Sequence, residues 1–233
     1  MQFEIPAAKR VSDALFAIVL SLVGLSLAGQ CSKYIWGHPK LKGFVPAFYL
    51  DFESNVPTWY SSAALGLAAA LLTIIAITMY RRLAADRLHW AALAALLLFL
   101  SVDEIAAFHE MPIDPLRESF NAGGLLYYTW VVPGLIAVAI VSCVFLRFFL
   151  RLSRRTQVMF ALAAACFVTG AIGVEMLSGW QADRYGEENL TYALIITVEE
   201  FLEMIGVVIL IRALVDYIQI NLGGLRLNIL TEN

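Results

Sequence analysis

Six apolar runs, each long enough to cross a lipid bilayer, dominate this chain of 233 residues. They cover residues 11–30, 58–80, 89–109, 124–147, 157–180 and 190–217. A helix needs about 20 mostly apolar residues to traverse the hydrocarbon. Only helices and closed barrels satisfy their backbone groups in lipid, and runs that do not alternate in polarity exclude a barrel. The expected fold is therefore all-α: a polytopic transmembrane helical bundle of about six spans. Composition agrees, with 61% of residues hydrophobic and 15% charged. A soluble domain is nearer half and a quarter. The length suits a single transmembrane domain over residues 1–233, with no second soluble unit.

The first run follows Lys9 and Arg10, and Ser26-Leu27-Ala28 has the small-x-small spacing of a signal-peptide cleavage site. Its length, and the further runs that follow it, favour a retained span. Lys and Arg in the short connections set the orientation. With the N-terminus cytoplasmic, the inner side holds Lys9, Arg10, Arg81, Arg82, Arg87, Arg147, Arg151, Arg154, Arg155, Arg212 and Arg226. The outer side holds Lys33, Lys40, Lys42, Arg117 and Arg184. Both termini are thus expected in the cytoplasm. The acids are distributed the opposite way. Only Glu4, Asp13, Asp86, Asp216 and Glu232 fall inside, and the other fourteen of the nineteen lie outside or in the outer parts of the spans. Such a field gathers protons, metal ions or cationic solutes. The net charge of −3 gives no basic footprint for nucleic acid. The lipid bilayer is the one partner the sequence implies, and it identifies no protein partner. Cys31, Cys143 and Cys166 have neither metal nor redox spacing.

Several acids lie where a bilayer penalises them. The third run ends with Asp103, Glu104, His109 and Glu110. On one continuous helix, at about 100° per residue, Asp103 and Glu110 would share a face, with His109 and Glu104 turned about 100° to either side. Glu175 lies in the fifth run, just after the small residues Gly170, Ala171 and Gly173 that permit close helix approach. Glu199, Glu200 and Glu203 lie in the sixth, neighbours at helical spacing. An ionised side chain at the centre of a span costs about 2.5–3.5 kcal/mol, so the set costs on the order of 10 kcal/mol unless compensated. No Lys or Arg sits at matching depth. The compensation must come from bound protons, a metal ion, a cationic ligand, or Arg117 and Arg184 folding in from the loops.

The candidate ligands are Asp103, His109, Glu110, Glu175, Glu199, Glu200 and Glu203. Glu104 is an outlying member because of its direction. Asp51 and Glu53 reach the site from the outer loop at residues 31–57. The leading expectation is a divalent metal ion supporting chemistry on a lipid or membrane-associated substrate. Carboxylates with one imidazole suit Mg, Mn, Ca or Fe rather than Zn. A dimetal centre of the four-helix type wants two Glu-x-x-His pairs, which are missing here. A Ser101–Asp103–His109 hydrolase is disfavoured, because eight helical residues separate the hydroxyl from the imidazole. A proton- or cation-coupled small transporter is the main alternative, since membrane-embedded acids mark ion pathways and proton relays. Pro133 in the fourth run is a candidate kink. A structural subunit of a membrane complex is a third reading.

Residues 55–62 (Asn55 to Ser62), Asp103-Glu104 with His109-Glu110, and Glu199-Glu200 with Glu203-Met204-Ile205-Gly206 together resemble a family of small bacterial multipass inner-membrane proteins. The likeness runs from Phe48 to Tyr217. It implies a bacterial inner membrane and supports treating the acids as one unit; with the orientation set by Lys and Arg, the acidic site is expected to face the periplasm or exterior. It supplies no substrate, cofactor or mechanism.

Overall fold

A computed structural model describes residues 7–223, so Glu4, Arg226 and Glu232 lie outside the described residues. The described chain is all-helical, without strands. Its helices are α1 (Ala8–Tyr34), the short α2 (Phe44–Phe48), α3 (Val56–Arg81), α4 (Arg87–Ala106), α5 (Ile113–Phe120) and α6 (Val131–Phe149). Next come α7 (Arg154–Val168), a π-helical segment (Thr169–Val174) and α8 (Glu175–Tyr185), which run on as one rod, and finally α9 (Leu190–Asn221). Five helices are long and apolar enough to cross a membrane: α1, α3, α4, α6 and the rod Arg154–Tyr185. The sixth expected span, α9, has 32 residues, but three glutamates, Arg212 and Asp216 dilute its apolar run.

Side-chain caps fix where several helices begin. Asn55 Oδ1 accepts the Thr58 backbone N–H at 3.2 Å, with Pro57 in the first turn. Ser153 and Asn189 cap α7 and α9 in the same way. The Asn55 amide also donates to the backbone carbonyls of Tyr49 and Pro46, tying the outer loop to the head of α3.

Three elements differ from the sequence expectation. The third run is helical only to Ala106, not to His109, because Ala107 adopts a left-handed conformation (φ 48°) and donates its N–H to the Asp103 carbonyl at 2.7 Å. The single helical face expected for Asp103 and Glu110 therefore does not exist. The fourth run begins helically at Val131 rather than residue 124, after a 3-10 turn at Gly124–Leu126. This puts Pro133 in the first turn of α6, where its missing N–H interrupts no intrahelical bond, so it does not act as a mid-span kink. The fifth run contains the π segment, whose extra residue turns the side chains after it by roughly 100° relative to an unbroken α-helix.

The bundle is organised around α9. It packs against α1, α3, α7, the π segment and α8, while α3 pairs with α4. At the basic end, Leu72, Ile75, Trp90, Ile211, Leu214 and Ile218 form the main core. Ion pairs Arg151–Asp86 and Arg155–Asp216 knit the connections there. Toward the other end a smaller cluster holds Val19, Leu22, Leu50, Met204 and Val208. By contrast, α6 touches the bundle chiefly through the π segment and leaves Leu135, Ile136, Ile140 and Val144 exposed, as a lipid-facing helix does.

Two glycines set how closely the fifth and sixth runs approach. A Cβ on Gly206 would lie 2.8 Å from the Ala163 carbonyl oxygen and the Phe167 nitrogen, and one on Gly170 would lie 2.7 Å from the Glu199 carbonyl oxygen. Both clashes are with backbone, which cannot swing aside. Gly170→Ala is expected to destabilise the detergent-solubilised bundle by about 1–3 kcal/mol. Gly24→Ala, in α1 with open space around it, is expected to be neutral or slightly stabilising. Thermal unfolding of the two variants checks this contrast, and equal effects would refute the close-approach account.

Candidate functional site

At the end of the bundle opposite the basic connections, the acids of the spans form two linked groups. The first begins where α4 stops. Asp103 is buried, and its carboxylate takes both bonds that the reversing chain offers. Oδ1 accepts the His109 backbone N–H at 3.1 Å, and Oδ2 lies 2.7 Å from His109 Nδ1. The His109 ring meets the Trp130 ring edge-on at 4.8 Å between centroids. Trp130 Nε1 in turn donates to Glu175 Oε1 at 3.0 Å. Asp103, His109, Trp130 and Glu175 thus run in contact from α4 across the head of α6 to the start of α8.

The second group lies on α9 and shares Glu175 with the first. Glu199 is buried and takes a hydrogen bond from Ser178 Oγ at 3.0 Å, and its carboxyl group is within hydrogen-bonding reach of Glu175. Glu200 and Glu203 lie within electrostatic reach of each other and of Glu104. Ser61 on α3 stands within hydrogen-bonding reach of Glu104. Glu104 therefore belongs with the α9 acids, although helix direction alone set it apart. Glu110, beyond the end of α4, is exposed. The π segment precedes Glu175 directly, and Gly170 within it brings the α9 backbone at Glu199 and Glu203 against this rod. The register of the rod and the approach of α9 together set Glu175 beside Glu199.

None of the five ion pairs among the described residues includes Glu104, Glu175, Glu199, Glu200 or Glu203. The two arginines that were one of the alternative sources of positive charge are engaged elsewhere. Arg117 donates to the Tyr127 carbonyl at 2.8 Å and to Asp114 at 3.1 Å, and it stacks on the Tyr127 ring. Arg184 lies over Trp180. Among the described residues, no three His, Cys, Asp or Glu side chains converge as a metal centre. The Ser101 hydroxyl donates to the Ser62 carbonyl at 2.8 Å and has no part in the Asp103–His109 pair, so no hydrolase triad forms.

The outer loop covers this end. Asp51 Oδ1 accepts from the Tyr192 hydroxyl at 3.2 Å, and Tyr192 stands 2.8 Å from the Tyr128 hydroxyl. Glu53 is exposed and lies within electrostatic reach of Glu110, His109 and Asp103. Burial pushes the Asp51 carboxyl up to about 6 from the usual 3.8; the Tyr192 hydrogen bond pulls it back, and the Glu187 and Glu175 carboxylates add to the rise. Trp130, Ser178, Tyr128 and Tyr192 were absent from the sequence-based set. Aromatic residues at the ends of spans ordinarily mark the membrane interface, so no sequence signal separated Trp130, Tyr128 and Tyr192 from that belt.

The arrangement defines a class: an all-helical protein with five helices fit to cross a membrane and a carboxylate-rich end. The chain belongs to the family described as "Domain of unknown function (DUF8692)", whose model matches residues 14–218. No curated protein and no solved structure matches it.

Asp51 yields a pH prediction. Its folded-state value lies above its unfolded one, so between about pH 4 and about pH 6 the folded chain retains a proton that the unfolded chain has lost. Stability therefore falls as pH rises through that window. The expected loss is on the order of 2 kcal/mol once solvent screening is allowed for. Thermal unfolding in detergent at stepped pH should show the decline in the wild type and a flatter profile in Asp51→Asn; parallel profiles would contradict the assignment.

Proposed function

We propose that this chain is a six-span protein of the bacterial inner membrane, with both termini cytoplasmic. In this reading it binds protons at a carboxylate-lined site facing the periplasm and couples that binding to movement of a small solute or cation. One observation carries the reading: Glu175, Glu199, Glu200, Glu203 and Glu104 are gathered among the helices, and among the described residues none of them enters an ion pair. Carboxylates so placed repel one another and resist desolvation. Two carboxyl groups within hydrogen-bonding reach, as Glu175 and Glu199 are, form that bond only when a proton lies between them. Titratable groups held inside a span are the usual carriers of protons and ions across membranes.

A divalent metal is the second reading, favoured by the donor set. Oxygen ligands from Glu175, Glu199, Glu200 and Glu203, with Asp103 and the one imidazole of His109, suit Mg, Mn, Ca or Fe rather than Zn. These side chains would have to turn toward a common point, since no three of them converge as placed.

Flux in liposomes tests the function. The wild-type protein should support movement of protons or cations driven by an imposed pH or cation gradient. Glu199→Gln and Glu203→Gln should reduce that rate at least about tenfold, and Glu118→Gln on the exposed face of α5 should not. Equal rates in all four proteins would overturn the coupling. Elemental analysis of the same samples separates the second reading, which requires stoichiometric metal in the wild type and its loss in both glutamine variants.

A further inference from the structure

Three hydrogen-bond contacts run in series from the surface to the covered side of the outer loop. Glu187, in the exposed connection between α8 and α9, accepts from the Tyr128 hydroxyl at 2.9 Å. Tyr128 and Tyr192 place their hydroxyl oxygens 2.8 Å apart, and Tyr192, itself buried, donates to Asp51 at 3.2 Å. The four residues come from four separate places: the α8–α9 connection, the turn before α6, the first turn of α9 and the outer loop. Asp51 lies within electrostatic reach of Glu175 and Glu200, half-buried members of the carboxylate groups on the spans.

Counting hydrogens shows what the series can do. Two tyrosine hydroxyls carry two protons, and three contacts need three. With both carboxylates ionised, one contact is left as two facing lone pairs. A single added proton completes the series, and it has two equivalent positions. In one, Glu187 is the acid and donates to Tyr128, Tyr128 to Tyr192, and Tyr192 to the Asp51 carboxylate. In the other, each hydroxyl proton has shifted one step inward, Asp51 is the acid, and Glu187 is ionised. Moving between them breaks and forms three O–H bonds, leaves both tyrosines neutral, and carries one proton from the surface carboxylate to the covered one.

We propose that Glu187, Tyr128, Tyr192 and Asp51 form the route by which protons reach the buried carboxylates from the exposed end of the bundle. The proposal rests on the proton-binding reading given above. The titratable groups that face Asp51 fit this role. Tyr49 lies beside it in the loop, Tyr192 and Glu200 face it from α9, Glu175 from the start of α8, and Glu187 from the α8–α9 connection. None is a cation that would hold Asp51 permanently ionised. Lys33, the nearby base on α1, is bound to Glu188 at 2.6 Å. Burial, which pushes the Asp51 carboxyl up to about 6, makes it an acceptor that both takes and passes a proton near neutral pH.

The test is proton uptake by the detergent-solubilised protein after a rapid downward pH step from an alkaline start at which the carboxyl groups are ionised, followed with an indicator dye. Wild type should take up protons in a phase that Glu199→Gln diminishes in amplitude. Tyr128→Phe and Tyr192→Phe remove the relaying hydroxyls, and each should slow that phase at least about tenfold while its amplitude remains. Tyr185→Phe, an exposed tyrosine outside the series, should leave rate and amplitude unchanged. Unaltered rates in the Tyr128 and Tyr192 variants, with uptake intact, would overturn the route and leave the proton site standing. A lowered amplitude with an unaltered rate would show that the tyrosines merely position Asp51, and would also overturn it. If the wild type shows no phase sensitive to Glu199, both the proton site and its route fall.

Discussion

The structure depends on placing carboxyl groups among helices without giving them basic partners among the described residues. Glu104, Glu175, Glu199, Glu200 and Glu203 stand on three elements that meet at one end of the bundle, while the arginines of that end are bound to other groups. In a medium of low polarity, a cluster of like charges is stable only when something positive joins it. The bonds around these acids follow from this constraint. Trp130 donates to Glu175, Ser178 to Glu199, and the chain reversal after α4 supplies two donors to Asp103. Each donor satisfies one lone pair of its carboxyl group.

The way the helices pack brings the carboxylates together. Gly170 and Gly206 let the fifth and sixth runs approach until their backbones touch. In lipid such contact is stabilised by close packing rather than by the hydrophobic effect. The π segment sits at this contact and sets the direction of the residues after it, beginning with Glu175. Single π turns inside α-helices are frequent at functional sites. The tyrosines close the arrangement from above, since the outer loop is held through Asp51 on Tyr192 and through Asn55 at the head of α3.

Much of this was legible in the sequence, and the losses have physical causes. Apolar length alone located all the long helices, because the bilayer requirement is a property of contiguous residues. The acids on α9 were legible for the same reason, as interruptions of such a run. The end of α4 was not legible: an alanine in left-handed conformation leaves no compositional mark, and the helical angles assigned to His109 and Glu110 failed with it. The membership of Glu104 turned on which helices pack together, which periodicity on one helix does not encode. Tyr128 and Tyr192 resembled interface aromatics, and only their hydroxyl partners set them apart. The family match over residues 14–218 is consistent with an uncharacterised family and brings no chemistry of its own.

The proposed function turns on protons bound among the carboxyl groups of the spans. Infrared spectroscopy of the purified protein in H2O and D2O at pH 7 tests it most directly. Protonated carboxyl groups absorb in a band separate from carboxylates and shift on deuteration. The account predicts such a band in the wild type, reduced in Glu199→Gln. A wild-type spectrum showing ionised carboxylates alone, with no deuterium-sensitive carboxylic acid band, would contradict it.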